Sequence, residues 1–290
     1  MEDLPRSGRP PVTTPNQDRY IRLQHARRRF TPATVTARNT VGTHNRRISP
    51  QTVRRRLAAT RMFARRPYKG PILTRRHRQN RLAWANNHRG WGRQQWRQVF
   101  FTDESKFNLS FADGNKRVYR RGGERFAQCC VLEHNRWGGG GLMVWAGISA
   151  DQKTPLHVVR GRLNGIAYRD TILAPLVVPF MTQHGLRLFQ QDNARPHVAR
   201  VSTDFLRQQH VNALPWPSLS PDLNPIEHLW AELGRRVRSR AVQPATLAQL
   251  EVAMVQEWQA IPQYIVRRYV YSMGRRCQAV IRAQGGHNRY

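Results

Sequence analysis

At about residue 99 the sequence changes texture, and the change divides the chain into two kinds of structure. Before it, helix starts recur with one grammar: Thr14-Pro15, Thr31-Pro32 and Ser49-Pro50 each set a hydroxyl N-cap ahead of a first-turn proline. Phe30 with Val35 and Ile48 with Val53 stand where hydrophobic staples would close over the last two caps. After it come short strand-like runs, "QVFFTDESKFNLSF", "RVYRR", "GLMVWAGIS", "PLHVV" and "LRLFQQDNARPH". Helical spacing returns at Val198, Val201 and Phe205, and again at Ile226, Trp230, Leu233 and Val237. Strands first, then helices around a further strand, predict an α/β domain with a mixed sheet behind an all-helical N-terminal unit.

Three short helices within about 50 residues make a compact helix-turn-helix unit. On the third, "SPQTVRRRLAATRM", Val53 and Leu57 are spaced to face the core, which leaves Gln51, Thr52, Arg54 and Arg55 for a DNA major groove. The Pro- and Gly-rich opening, 1–15, reads as a linker, 16–68 as the helix-turn-helix unit, 69–98 as a helical connector and 99–290 as the α/β domain. In the connector, Trp84 and Trp96 read as packing anchors rather than platforms for stacked bases.

Charge says what such a chain seeks. Its 49 Lys and Arg against 17 Asp and Glu give a formal charge of +32. The first 100 residues hold 24 basic and 3 acidic residues, so the N-terminal third is the stronger candidate for binding a nucleic acid. No run approaches the roughly 18 apolar residues of a membrane span, and no signal peptide opens the chain, so an intracellular protein without a membrane partner is expected. Three cysteines, two of them adjacent, offer neither a disulfide framework nor a zinc spacing. Any metal must use oxygen ligands.

Two strands end in acids that burial does not explain. Alternation puts Asp103 on the face of Val99 and Phe101, and Asp192 on the face of Leu186 and Leu188. A third acid, Glu227, follows "SLSPDLNP". There Asn224 and Glu227 could form a capping box around Pro225, or the stiff prolines could hold a carboxylate for chemistry; the segment alone leaves both open. Three carboxylates converging at one sheet edge repel one another unless cations bind, and hard oxygen ligands suit Mg²⁺ or Mn²⁺. Glu104, Asp113 and Asp222 read as structural, Asp113-Gly114 being a hairpin turn.

The blocks "FTDESKF", "QQDNARPH" and "WPSLSPDLNPIEHLW" resemble, in order, the three catalytic blocks of the mariner superfamily of DNA transposases. The Tc-one-like branch is the nearer match: 34 residues separate Asp192 from Glu227, the branch's spacing, whereas mariner proper usually has aspartate in the third place. "SGRP", containing Arg9, is similar to the branch's Gly-Arg-Pro linker, and "GGGGLMVWAGIS" and "RRCQAVIRAQGGHNRY" extend the likeness over nearly the whole chain.

The resemblance implies a ribonuclease-H-like catalytic domain in which Asp103, Asp192 and Glu227 hold two Mg²⁺ ions, with Mn²⁺ as a substitute. It implies cut-and-paste transposition: binding of terminal inverted repeats, hydrolysis at the ends, and transfer of 3′-hydroxyls into target DNA at TA. A homodimer on double-stranded DNA, in the nucleus, would carry this out. Residues from about 109 to 141 match a clamp-like insertion that reaches a partner subunit, with the glycines at 138–141 letting it bend. Arg9, Gln51, Thr52, Arg54 and Arg55 are the expected DNA contacts. The branch usually carries a first, paired-type helix-turn-helix before the linker, and its loss or truncation is expected here. The other reading is a domesticated or decayed binding protein that holds transposon-like DNA without cutting it.

Overall fold

The computed structural model describes residues 10–109, 118–132 and 140–288. They form two compact units, one of residues 10–72 with 118–132, the other of 73–109 with 140–288. In chain order the strands are β1 Phe63–Arg65, β2 Tyr68–Lys69, β3 Val99–Asn108, β4 Val118–Arg120, β5 Val131–Leu132, β6 Gly141–Ile148, β7 His157–Val159 and β8 Leu188–Gln190.

The first unit is built on three helices, α1 Pro15–Arg27, α2 Ala33–Arg38 and α3 Pro50–Ala59. Thr14 caps α1 in a full capping box with Gln17, and the Ser49 hydroxyl accepts from Thr52 N at 3.1 Å to cap α3. Ile48 and Val53 are buried together as the staple requires, in a core with Ile21, Leu57 and Met62. The middle start differs from the expectation. Thr31 donates its N–H to Arg28 O and Pro32 is the last extended residue, so the cap falls one position later, without a side-chain hydrogen bond. Phe30 and Val35 therefore remain exposed, and Thr36 turns inward to bond His25 Nε2 at 2.9 Å. Strand β4 joins this unit by pairing antiparallel with β1, and β5 pairs with β2, so "RVYRR" belongs outside the large sheet.

The second unit surrounds a four-stranded sheet of order β7-β6-β3-β8, antiparallel except that β8 runs parallel to β3. Alternation sorts its side chains onto two faces. Val99, Phe101, Val144 and Ala146 pack on one side with helices α4 Arg75–His88, α5 Arg93–Arg97, α10 Ile226–Arg238, α11 Leu247–Gln259, α12 Gln263–Val270 and α13 Met273–Arg282. Phe100, Trp145 and Phe189 pack on the other, beneath α6 Gly165–Tyr168, the π-helical stretch Arg169–Val177, α7 Val178–His184, α8 Arg195–Val198 and α9 Arg200–Gln208. Gly147 is required on that face, since a Cβ there would lie 2.2 Å from the Phe100 ring. Trp84 and Trp96 are buried in the first of these cores, as anchors.

Two local expectations fail near the sheet's edge. Leu186 precedes β8: α7 ends at Gly185 in the left-handed conformation, Leu186 N bonds back to Met181 O, and Leu186 packs on the opposite side from Leu188. The helical spacing from Val198 to Phe205 is also broken, because Ala199 is extended at ψ 141° and leaves Val198 exposed. Among the described residues no helix is long and apolar enough to cross a membrane.

Candidate active site

The three acids arrive from three elements. Asp103 sits mid-way along β3, opposite Ala146, rather than at the strand's end as expected, because pairing with β6 carries the strand on to Asn108; its face carries Val99 and Phe101 toward the core. Asp192 lies two residues beyond the end of β8. Glu227 occupies the first turn of α10. The turn before α10 excludes the capping box, because Asn224 N donates to Pro221 O and the Asn224 side chain bonds Thr102 O and Ile226 N rather than Glu227 N. Glu227 is therefore left to the site.

Two of the three carboxylates show the influence of acidic neighbours. Burial first, then the charges of Glu227, Glu104 and Asp192, push Asp103 well above the usual carboxylate range, although Trp230 Nε1 donates to its Oδ2 at 3.0 Å. Burial likewise raises Glu227 to about 7; the Arg276 guanidinium opposes this, while Asp192 and Asp222 add to it. Asp192 Oδ1 accepts from Ala194 N at 2.8 Å, a turn that launches α8, and bonds His197 Nδ1 at 2.7 Å. His197 Nε2 meets Glu104 Oε1 at 3.3 Å on the other side of the ring. Burial disfavours a charged ring here, yet the two carboxylates outweigh it and raise His197 to about 10. Tyr168 packs against His197, ring centroids 4.3 Å apart and tilted by 38°, and donates to Gln191 Oε1.

The His197 ring thus sits between Glu104 and Asp192, whose carboxylates favour its charged form. With the carboxylates so engaged, no three His, Cys, Asp or Glu side chains among the described residues are gathered closely enough to hold a metal ion. The donor set nonetheless fits a hard divalent cation: Asp103 and Glu227, both raised in part by the charge of Asp192, gain with it from any positive charge among them. Gathering them requires their carboxylates to turn toward the ion.

The supporting residues were the ones that sequence alone did not reveal. Arg81 on α4, without exposed surface, makes a two-pronged ion pair with Asp222 at 2.7 Å and also donates to the carbonyls of Gly285 and Gly286. Arg276 on α13, equally buried, donates to Asp222 O at 2.7 Å and to His228 Nδ1 at 3.1 Å. Asp222 is accordingly structural, as its sequence context indicated. Glu104 steadies His197. Of the expected DNA contacts, Gln51, Arg54 and Arg55 are exposed on α3, with Arg54 donating to Gln51 Oε1 at 3.1 Å. Thr52 is half-buried with its hydroxyl 3.1 Å from Ser49 Oγ, which gives it a place in the cap. Arg9 and Asp113 lie outside the described residues, as does most of the clamp-like insertion's two flanks.

Residues 98–250 match the family described as DDE superfamily endonuclease, and residues 18–90 a family described as transposase. The chain is 41% identical over 249 residues to the transposable element Tc1 transposase of Caenorhabditis elegans, covering 83% of this chain and 88% of that one. The chain belongs to the Tc1/mariner family of transposases. The Tcb2 transposase of Caenorhabditis briggsae is similar to this transposase to the same degree, 41% over 244 residues, with the same shares covered. Its fold is that of the Mos1 mariner paired-end complex with Mn, at a TM-score of 0.64 and 17% identity over 99% of this chain and 83% of that chain. The transposase is therefore a DNA-cleaving enzyme of the cut-and-paste type, with a helix-turn-helix unit before a ribonuclease-H-like catalytic domain.

Proposed function

We propose that Asp103, Asp192 and Glu227 form the catalytic centre at which this transposase cuts DNA at transposon ends and joins the freed 3′-hydroxyls to target DNA at TA. The observation that carries this reading is the convergence of three carboxylates drawn from β3, the end of β8 and the start of α10, near enough that the charge of Asp192 raises both Asp103 and Glu227. Glu227, at about 7, gives up its proton readily near neutral pH once positive charge is nearby. Trp230 holds one oxygen of Asp103, and His197 with Ala194 N holds one oxygen of Asp192, so one oxygen of each of these two acids is placed before DNA arrives. Two divalent cations, Mg²⁺ or Mn²⁺, held by these acids would activate the attacking oxygen and offset charge on the leaving one.

Recognition of the terminal inverted repeats falls to α3, whose outward Gln51, Arg54 and Arg55 contrast with its buried Val53 and Leu57. The reaction joins two ends, which suits a homodimer on double-stranded DNA, and its substrate places the protein in the nucleus. The Mos1 structures described as a paired-end complex and a strand transfer complex support this reading by their shared fold.

Alanine at Asp103, Asp192 or Glu227 tests the assignment. Each variant is expected to bind a transposon-end duplex like the parent and to lose Mg²⁺-dependent strand cleavage to background. Cleavage at the parental rate by Glu227→Ala would remove the third acid from the site.

A further inference from the structure

Three buried polar residues near the acids are bonded to one another rather than to the acids. Thr102, Gln190 and Asn224 are 2%, 0% and 4% exposed. Pairing of β3 with β8 ends at Phe101 opposite Gln190. There the Gln190 side chain takes over from the ladder, its Oε1 accepting from Thr102 N at 3.2 Å, while Thr102 Oγ1 donates back to Gln190 O at 2.8 Å. From the third side, Asn224 Nδ2 donates to Thr102 O at 3.0 Å. Asn224 Oδ1 also receives Ile226 N at 3.4 Å, just where α10 begins.

Every polar atom of Thr102 is therefore committed, and each bond leads to a segment that ends in an acid. Thr102 immediately precedes Asp103, Gln190 is two residues before Asp192, and Asn224 is three before Glu227. We propose that Thr102 is a positioning residue that fixes the three acid-bearing segments in one register, with Gln190 and Asn224 as its two arms. The inference rests on the catalytic reading of the three acids.

Burial makes the arrangement effective and costly at once. In a site shielded from water, the bonded atoms of a polar network have few alternative partners, which favours one geometry. Gln190 Nε2 has no hydrogen-bond partner among the described residues, a loss that an apolar side chain would avoid. Ladder bonding alone cannot do this job, because β8 must leave β3 after Gln190 for Asp192 to reach the site. The Gln190 amide lets the strand depart while Thr102 stays bonded. Asn224 does the same for a helix, binding its first turn to a strand.

The test uses the full chain carrying Thr102→Val, Thr102→Ser, Asn224→Ala and, as a comparison, Leu206→Ala in the core on the far side of the sheet. Mn²⁺ binding is measured by calorimetry without DNA, single-turnover cleavage on a pre-bound end duplex, and stability by thermal midpoint. Thr102→Val and Asn224→Ala should weaken Mn²⁺ binding and slow cleavage by about 10–100-fold each, with DNA affinity unchanged, the range seen when groups that orient metal ligands are removed. Thr102→Ser, which keeps the hydroxyl, should restore both. Leu206→Ala should lower the midpoint at least as much and leave Mn²⁺ binding intact.

Parental Mn²⁺ binding and cleavage in both Thr102→Val and Asn224→Ala would overturn the proposal, as would equal losses in Leu206→Ala. If Thr102→Val does not fold, Asn224→Ala, which leaves β3 unaltered, carries the same readouts. Asp103→Asn separates the two readings: inactivity there with parental behaviour in the Thr102 and Asn224 variants rejects the positioning role alone, whereas activity there rejects the catalytic assignment beneath it.

Discussion

On α3, Arg54 and Arg55 stand exposed, and among the described residues no ion pair is formed by either. In the catalytic unit Arg81 and Arg276 have no exposed surface, and their guanidinium donors are spent on Asp222, on four backbone carbonyls, on Ser272 Oγ and on His228. The same residue type thus serves as a handle for a polyanion in one unit and as a bolt for a turn in the other. Net charge reports the sum and conceals the division. A charge of +32 overstates what is available to DNA by every arginine that is buried and paired.

Arg81→Ala breaks this comparison at its strongest point. Removing one partner of a buried ion pair leaves Asp222 uncompensated and should cost about 3–5 kcal/mol in denaturant unfolding. Arg81→Met with Asp222→Leu, which removes both charges, should recover much of that loss. Little destabilisation by Arg81→Ala would mean that the buried arginine is as expendable as the exposed ones.

A pH series sharpens the role of Arg276 and its neighbours. Glu227, raised from 4.5 to about 7, is more readily protonated folded than unfolded, so the stability it contributes is present at acid pH and lost as pH rises toward 7. Without divalent ions, the parent should lose up to about 3 kcal/mol relative to Glu227→Gln between pH 4.5 and 7. Mg²⁺ should return most of it. Parallel stability curves for the two proteins in chelator would show that Glu227 ionises without penalty.

The exposed pair is expected to give the smallest effect on the fold and a distinctive one on binding. Arg54→Gln with Arg55→Gln should change stability by no more than about 0.5 kcal/mol. Plotted against salt on logarithmic axes, DNA affinity should lose about 0.9 of slope for each phosphate contact removed. An unchanged slope would place DNA on some other surface of the chain.

How legible these features were depended on the distance over which each cause acts. Caps at Thr14 and Ser49 are decided within four residues and were readable; the cap expected at Thr31 was displaced by a turn that Thr31 N itself closes on Arg28 O. Asp103 stood out because alternation along β3 is a property of one strand. Asp192 was located correctly at the strand's end, though Leu186 was drawn into the pattern because periodicity cannot see that Gly185 has just terminated a helix. His197 lay inside a quoted block without a visible role, since its second carboxylate, Glu104, is 93 residues away. Arg81 was one of 24 basic residues in the first hundred, and its partner Asp222 is 141 residues distant. Nothing local could single it out.

The bonds from Arg81 to Gly285 and Gly286 span 204 and 205 residues. Gly285 is held at φ 75° so close to α4 that a Cβ there would meet Arg78 O at 1.9 Å. During synthesis, then, the turn that delivers Glu227 waits for residues made well after it: until Gly285 and Gly286 have left the ribosome, the guanidinium beneath that turn lacks two of its acceptors. A late stop codon, which spares all three acids, should be as damaging to a copy of this gene as the loss of one of them.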